Sequence, residues 1–204
     1  MNIYLIRHGQ KQENDKNHDA LELTETGFRQ ADLLGRRLAK YHIERIYSSQ
    51  MVRAIQTAEQ INKYLKTQIV IRPDLREMHM GACNLLGWKY LEEHYPDFIR
   101  EYRFGQADLP YPPDGECGED AWQRARKVMN EIASTGLQNV AVVTHGGLIR
   151  AFISGILGIH QSWRFSLGPQ LWNCGISIVR YNEKEQRFYL ESFNDGAHLE
   201  DVEL

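Results

Sequence analysis

Cysteine is scarce in this chain of 204 residues: Cys83, Cys117 and Cys174 make an odd number at wide spacing, with no CxxC pair. That excludes a disulfide framework and the usual thiolate zinc spacing, and it suits free thiols in a reducing cytoplasm. Long apolar runs are also missing. No stretch approaches the roughly 18 apolar residues a spanning helix needs, and the N-terminus enters strand-forming residues without a signal-peptide pattern, so a cytoplasmic chain is expected. Neither sign of charge dominates: 24 Lys and Arg against 27 Asp and Glu leave −3, which gives no basis for general affinity for nucleic acid or membrane. The histidines show no ligand spacing such as HExxH, so no metal site is expected. Repeats and low-complexity tracts are absent. What is present is an ordinary globular composition, 42% hydrophobic and 25% charged, consistent with one domain over 1–204.

Two stretches organise the rest. Ile3-Tyr4-Leu5-Ile6 is a short apolar run that stops at Arg7-His8-Gly9, and Val140-Ala141-Val142-Val143 stops at Thr144-His145-Gly146. Each reads as a buried strand delivering a histidine to a sheet edge, and in open α/β sheets ligands bind at the carboxyl ends of strands. Between them the loop 10–22, which contains Asn14, is followed by Thr24 as a helix N-cap and a stripe of Phe28, Ala31, Leu34, Leu38 and Tyr41. Strands are expected at Arg45–Tyr47 and Gln68–Ile71. The helix between them is expected to be capped by Ser48 or Ser49, to carry a stripe of Val52, Ile55, Ala58 and either Ile61 or Leu65, and to hold Arg53 in its first turn. A third helical stripe runs from Ala121 to Ile132, and 176–181 with 187–193 form a terminal hairpin. Strands alternating with helices predict an α/β three-layer sandwich, with a mostly parallel central sheet and helices on both faces. Residues 84–117 are rich in aromatics and proline and are expected to form an inserted helical lid over the sheet edge.

If the two edges converge, the chemistry is specific. Arg7 and Arg53 match the oxygens of a tetrahedral oxyanion, which arginine binds bidentately, and a neutral imidazole at His8 can attack phosphorus. The arginine cations favour the neutral ring. Glu77, just after the third strand, is the best-placed proton donor, ahead of Glu93, Asp114 and Glu116, and a bound dianionic phosphate would favour its acid form. Lys11, Lys89, Arg100 and Arg103 are candidates for a second anionic group on the substrate.

In chain order these residues resemble the histidine phosphatase superfamily, also called phosphoglycerate-mutase-like. Arg7-His8-Gly9 is similar to its signature, Leu23-Thr24-Glu25-Thr26-Gly27 to its LTxxG helix start, Ser48–Ala58 to its second arginine segment, and Thr144–Arg150 to its second histidine segment. Glu77 with Gly81, Asn173-Cys174-Gly175 and Asn194 with His198 follow in order. The resemblance implies a metal-independent phosphoric monoester hydrolase of the small-phosphatase branch, acting on a small phosphate ester without a cofactor, as a monomer or homodimer. It implies catalysis by His8, Glu77 and His145, with Arg7, Asn14, Arg53 and Gly146 binding phosphate. The chain departs from the mutase branch at Met78 and Met80, which stand where that branch has arginine and tyrosine. Gln10 replaces the usual glutamate after the signature, and the stretch around Cys83 and Tyr90–Pro96 looks somewhat like fructose-2,6-bisphosphatase domains. Bisphosphatase or mutase activity, and a non-catalytic member that binds a phosphorylated ligand, are the alternatives.

Overall fold

The computed structural model describes residues 1–13, 20–104 and 107–200. Six strands form one sheet: β1 (Asn2–Arg7), β2 (Arg45–Ser48), β3 (Gln68–Ile71), β4 (Asn139–Thr144), β5 (Ile176–Asn182) and β6 (Arg187–Asp195), in the spatial order β3-β2-β4-β1-β5-β6. The first four in that order run parallel, while β5 lies antiparallel to both β1 and β6, so the expected terminal hairpin closes one side. The helices are α1 (Glu25–Leu38), α2 (Val52–Leu65), α3 (Cys83–His94), α4 (Pro96–Phe104), α5 (Gly118–Ala133) and α6 (Gly146–Leu157).

The continuous apolar strands are explained by burial on both faces. Successive side chains of a strand point to opposite sides. Ile3, Leu5, Val140 and Val142 pack with residues of α5 and α6, while Tyr4, Ile6, Ala141 and Val143 pack with residues of α1 and α2. Leu91, Phe98, Ile99 and Tyr111 from 84–117 join the first of these clusters. That segment comprises α3, broken at Gly87 where φ is +76°, then α4, and an irregular return.

Three helical expectations need correction. Phe28 is 39% exposed, and the buried face of α1 is instead Gly27, Gln30, Ala31, Leu34, Gly35 and Leu38. The cause is close approach: a Cβ on Gly27 would lie 2.1 Å from the Gln10 carbonyl oxygen, and one on Gly35 2.5 Å from the Tyr64 ring. Gln30 is drawn inward because its amide oxygen accepts the Gln10 N–H at 2.9 Å. On α2 the buried face is Arg53, Ala54, Thr57, Ala58 and Ile61, so Val52 and Ile55 sit at its margin. Neither serine caps this helix. Met51 occupies the cap position without a side-chain bond, because Ser49 is turned toward β4. The Thr24 cap of α1 forms as expected, accepting the Gly27 N–H at 3.0 Å.

The contact between α5 and α6 gives a stability test. A Cβ on Gly155 would stand 2.1 Å from the Trp122 ring. Gly to Ala inside a helix ordinarily stabilises by up to about 1 kcal/mol, whereas overpacking a filled contact costs about 1–3 kcal/mol. Urea titration of Gly155→Ala is expected to show a net loss; a gain would mean that the indole moves aside.

Candidate active site

The register of the sheet sets the site. β1 and β4 are parallel neighbours with Ile6 opposite Val143 and Arg7 opposite Thr144, so His8 and His145 leave the sheet side by side. Their ring centroids are 5.1 Å apart. On the far side of β4, Ser48 pairs with Val143, which brings Ser49 and the start of α2, with Arg53, to the same edge. β5 begins opposite Ile6, so the segment before it meets the edge from the other flank.

His8 is buried, and its Nδ1 lies 2.7 Å from the Gly9 carbonyl oxygen. A carbonyl only accepts, so Nδ1 carries the proton and Nε2 keeps its lone pair. Consistent with this, Arg53 donates from Nε to His8 Nε2 at 3.1 Å. Burial, reinforced by the Arg53 and Arg7 charges, holds His8 well below the ordinary histidine range. His145 is fully buried and held low in the same way, by burial first and then by His8, Arg53 and Arg7. Both rings are therefore neutral at neutral pH.

The Arg-His-Gly backbone is clamped on three sides. Asn173 donates its amide to the His8 carbonyl at 2.9 Å, the Cys174 N–H donates to the Arg7 carbonyl at 2.9 Å, and the Gly9 N–H donates to Thr57 Oγ1 at 3.0 Å. Thr57 Oγ1 in turn donates to the Arg53 carbonyl, tying the signature loop to α2. Arg7 is anchored through the Leu171 carbonyl. Asn194 accepts the Trp172 N–H, and His198 bonds the Cys174 carbonyl, so these C-terminal residues brace this loop.

Glu77 is fixed by backbone donors at the start of α6. Its Oε1 accepts from Met78 N at 2.9 Å and Leu148 N at 3.1 Å, and Oε2 accepts from Gly147 N at 3.2 Å. A carboxylate is favoured at a helix N-terminus, where first-turn N–H groups lack partners inside the helix. Gly146 opens the helix, and a Cβ there would lie 3.6 Å from Arg7 Nε and 3.8 Å from an Arg150 nitrogen. Arg150 is buried and donates to the Gly168 carbonyl. Lys11 lies near enough to Arg53 and Arg7 that, after burial, their charges lower its pKa.

The competing carboxylate Glu116 is committed elsewhere. It accepts from Arg76, from Arg124 and from the His79 N–H, and although burial pushes its pKa up, these partners hold it below the usual range. Arg124 also donates to the Asp74 and Arg76 carbonyls, so the Glu116–Arg124 pair shapes the turn that aims Glu77. Of the expected second-anion cations, Lys89, Arg100 and Arg103 are each paired with a carboxylate on exposed ground, with Glu93, Asp97 and Glu92 respectively. Gln10 is used within the protein, accepting from the Thr24 hydroxyl at 2.6 Å. Asn14 lies outside the described residues. Arg7, His8, Arg53, Glu77, His145 and Gly146 are thus brought to one place. Ser49, Thr57 and Arg150 join them from within the family-like segments, where they are not singled out as site residues, and Arg124 joins them from outside any motif. Among the described residues no group of His, Cys, Asp and Glu is arranged to hold a metal ion, and no helix is long and apolar enough to cross a membrane.

The sequence and the fold also match known proteins. A family model, "Histidine phosphatase superfamily (branch 1)", matches residues 3–196. The metal-independent phosphoserine phosphatase of Arabidopsis thaliana is 33% identical over 98% of this chain and 84% of its own. A putative phosphoserine phosphatase 2 of Hydrogenobacter thermophilus is 32% identical over 92% of this chain and 94% of its own. The solved structure of a mycobacterial glucosyl-3-phosphoglycerate phosphatase with VO3 superposes with a TM-score of 0.81 at 25% identity, covering 95% of this chain and 99% of that one.

The histidines also set a pH dependence of stability. His8 and His145 are held low, and half-buried His198 is lowered to about 4 by burial and by Arg37. The unfolded chain takes up these protons near the ordinary value of about 6.5 and the folded chain does not, so stability is full above that pH and falls as the pH drops below it. The thermal midpoint is expected to decrease from about pH 7.5 to about pH 5, before most carboxylates titrate, and His198→Gln should flatten the decline. A midpoint that rises over this window would contradict the burial of neutral rings.

Proposed function

Because this chain belongs to the histidine phosphatase superfamily (branch 1), we propose that it is a metal-independent phosphomonoesterase that hydrolyses a small phosphorylated metabolite through a phosphohistidine at His8. The observation that carries this is the state of the His8 ring: buried, neutral, protonated on Nδ1 by its bond to Gly9, and presenting the Nε2 lone pair to Arg53. A lone pair that already accepts from a guanidinium lies where a phosphoryl group bound by that guanidinium would sit.

The substrate phosphoryl oxygens are held by Arg7, Arg53, His145 and the Gly146 N–H, with Asn14 as a further contact. Arg53 exchanges its bond to Nε2 for one to a phosphoryl oxygen, which frees the nucleophile. With the dianionic phosphate bound beside it, Glu77 takes the acid form. Nε2 then attacks phosphorus, the ester P–O bond breaks in line, and Glu77 gives its proton to the leaving oxygen. The Glu77 carboxylate then takes a proton from water. That water attacks phosphorus, the P–N bond breaks, and phosphate leaves with Nε2 and Glu77 restored. Residues 84–117 serve as the lid over this site, and their aromatic contacts, Trp88 with Tyr102 and Tyr102 with Phe165, couple the lid to the loop after α6.

Hydrolysis is favoured over mutase chemistry by Met78 and Met80, which stand where the mutase branch has arginine and tyrosine. Of the four cations expected for a second anionic group, Lys89, Arg100 and Arg103 are paired on exposed ground and Lys11 lies near Arg7 and Arg53. The named activities of the relatives, on phosphoserine and glucosyl-3-phosphoglycerate, point to an alkyl phosphate of a small carboxylated metabolite as the substrate class. Cytoplasmic location, a monomeric or homodimeric state, and the lack of nucleic-acid or membrane partners belong to the same proposal.

His8→Ala should lower kcat by roughly 10⁴-fold or more, as loss of a nucleophile does. Acid-labile, base-stable phosphate should be trapped on the wild type and be absent from the variant; full turnover by the variant would overturn the assignment. Glu77→Gln should lower kcat on an alkyl phosphate by about 10²- to 10⁴-fold and on p-nitrophenyl phosphate much less, because that leaving group needs no proton. Equal losses on both substrates would remove Glu77 from proton donation.

A further inference from the structure

His145 has one ring nitrogen engaged and one left over. Its Nε2 lies 2.8 Å from Ser49 Oγ, while Nδ1 is buried with no hydrogen-bond partner among the described residues. Which nitrogen bears the proton decides what the ring offers a ligand: an N–H donor suits a phosphoryl oxygen, and a lone pair repels it.

The answer lies with Ser49. A hydroxyl has one hydrogen to donate and two lone pairs to accept with. Ser49 is fully buried, and its oxygen already accepts the Met51 N–H at 3.3 Å. The neighbouring Ser48 hydroxyl bonds the Ser49 carbonyl and not its side chain. Among the described residues, the acceptor within reach of the Ser49 hydrogen is His145 Nε2. A buried donor without an acceptor costs about 1–3 kcal/mol. With Nε2 protonated, the resting protein would leave both the Ser49 hydrogen and the Nδ1 lone pair unpaired and would turn that lone pair toward an anion. With Nδ1 protonated, only the Nδ1 N–H is unpaired, and an anion supplies its acceptor.

We propose that Ser49 is a positioning residue that donates to His145 Nε2 and so keeps the proton on Nδ1, facing the phosphoryl group. Ser49 touches no reacting atom. It acts by fixing the tautomer and plane of a ring that does. This also accounts for the displaced helix cap: the serine that could close α2 is turned toward β4, and α2 starts at Met51 without a side-chain cap. The inference rests on the phosphatase reading for its purpose, but the tautomer itself is a property of the resting protein.

The test begins with that resting state. ¹⁵N spectra of histidine-labelled, ligand-free protein should show His145 with a protonated Nδ1 and an unprotonated Nε2, and titration with inorganic phosphate should shift the Nδ1 signal. The opposite assignment would overturn the proposal without any variant having to fold. In Ser49→Ala the ring should redistribute toward the other tautomer. Loss of a donor to transition-state charge costs about 10²- to 10³-fold; a ring that keeps part of its correct population should lose less, roughly 10- to 100-fold in kcat with KM little changed. Ser49→Thr, which retains the hydroxyl, should restore both the spectrum and kcat. An unaltered tautomer in Ser49→Ala would refute the role. Should His8→Ala retain full turnover while the His145 spectrum is as expected, the nucleophile assignment fails and the setting of the ring by Ser49 stands.

Discussion

A neutral imidazole held between a carbonyl and a guanidinium is the constraint on which this molecule turns. Gly9 supplies the carbonyl, Arg53 the guanidinium, and the surrounding protein excludes water from both. Each element has a distinct effect. The carbonyl directs the His8 proton to Nδ1. The cations and the burial keep the ring from taking a second proton, and the same cations suit the oxygens of a phosphoryl group. Nucleophile competence and anion binding thus come from one set of contacts, so a change that loosens one disturbs the other.

Such a set can be assembled only where several chain segments end together. The parallel strands supply this, because their carboxyl ends share one sheet edge and every connection must return across a face. Close backbone approach then seals the edge. A Cβ on Gly9 would stand 2.6 Å from the Gly27 carbonyl oxygen, so the signature loop lies directly on the start of α1. The antiparallel β5 contributes differently. Its leading segment, Trp172 to Gly175, clamps the Arg7 and His8 backbone from the flank that the parallel strands leave open. Cys174 adopts a left-handed conformation there, with φ of +59°, and is fully buried against the Arg7 backbone.

The carboxylates illustrate how neighbours sort chemically equal groups. Glu116 is surrounded by Arg76 and Arg124 and stays ionised, which makes it a brace. Among the described residues, Glu77 accepts hydrogen bonds only from backbone N–H groups, with one oxygen lightly engaged. One residue orders the turn and the other is presented at its tip. Position after the third strand and the Gly81 that follows single out Glu77 in the sequence, and the contacts give the physical reason.

The strands, the histidine at each of two strand ends, the helix stripe of α5 and the terminal hairpin were legible in the chain itself. Four-residue apolar runs and a 3.6-residue period report burial directly, and Arg-His-Gly with a later Thr-His-Gly reports an anion site. The same patterns misplaced Phe28 and the α2 stripe. Periodicity counts apolar residues, whereas these helices approach their neighbours through glycine and alanine and bury Gln30, Arg53 and Thr57 on polar contacts. The alternation of strands with helices and the identity of the site's main side chains are therefore properties of the sequence alone. The tautomers of the two imidazoles, the commitment of Glu116 to Arg76 and Arg124, and the turning of Ser49 from helix cap to histidine partner were decided only by tertiary structure. Each depends on which donor or acceptor stands within about 3 Å, between residues as many as 96 positions apart in the chain.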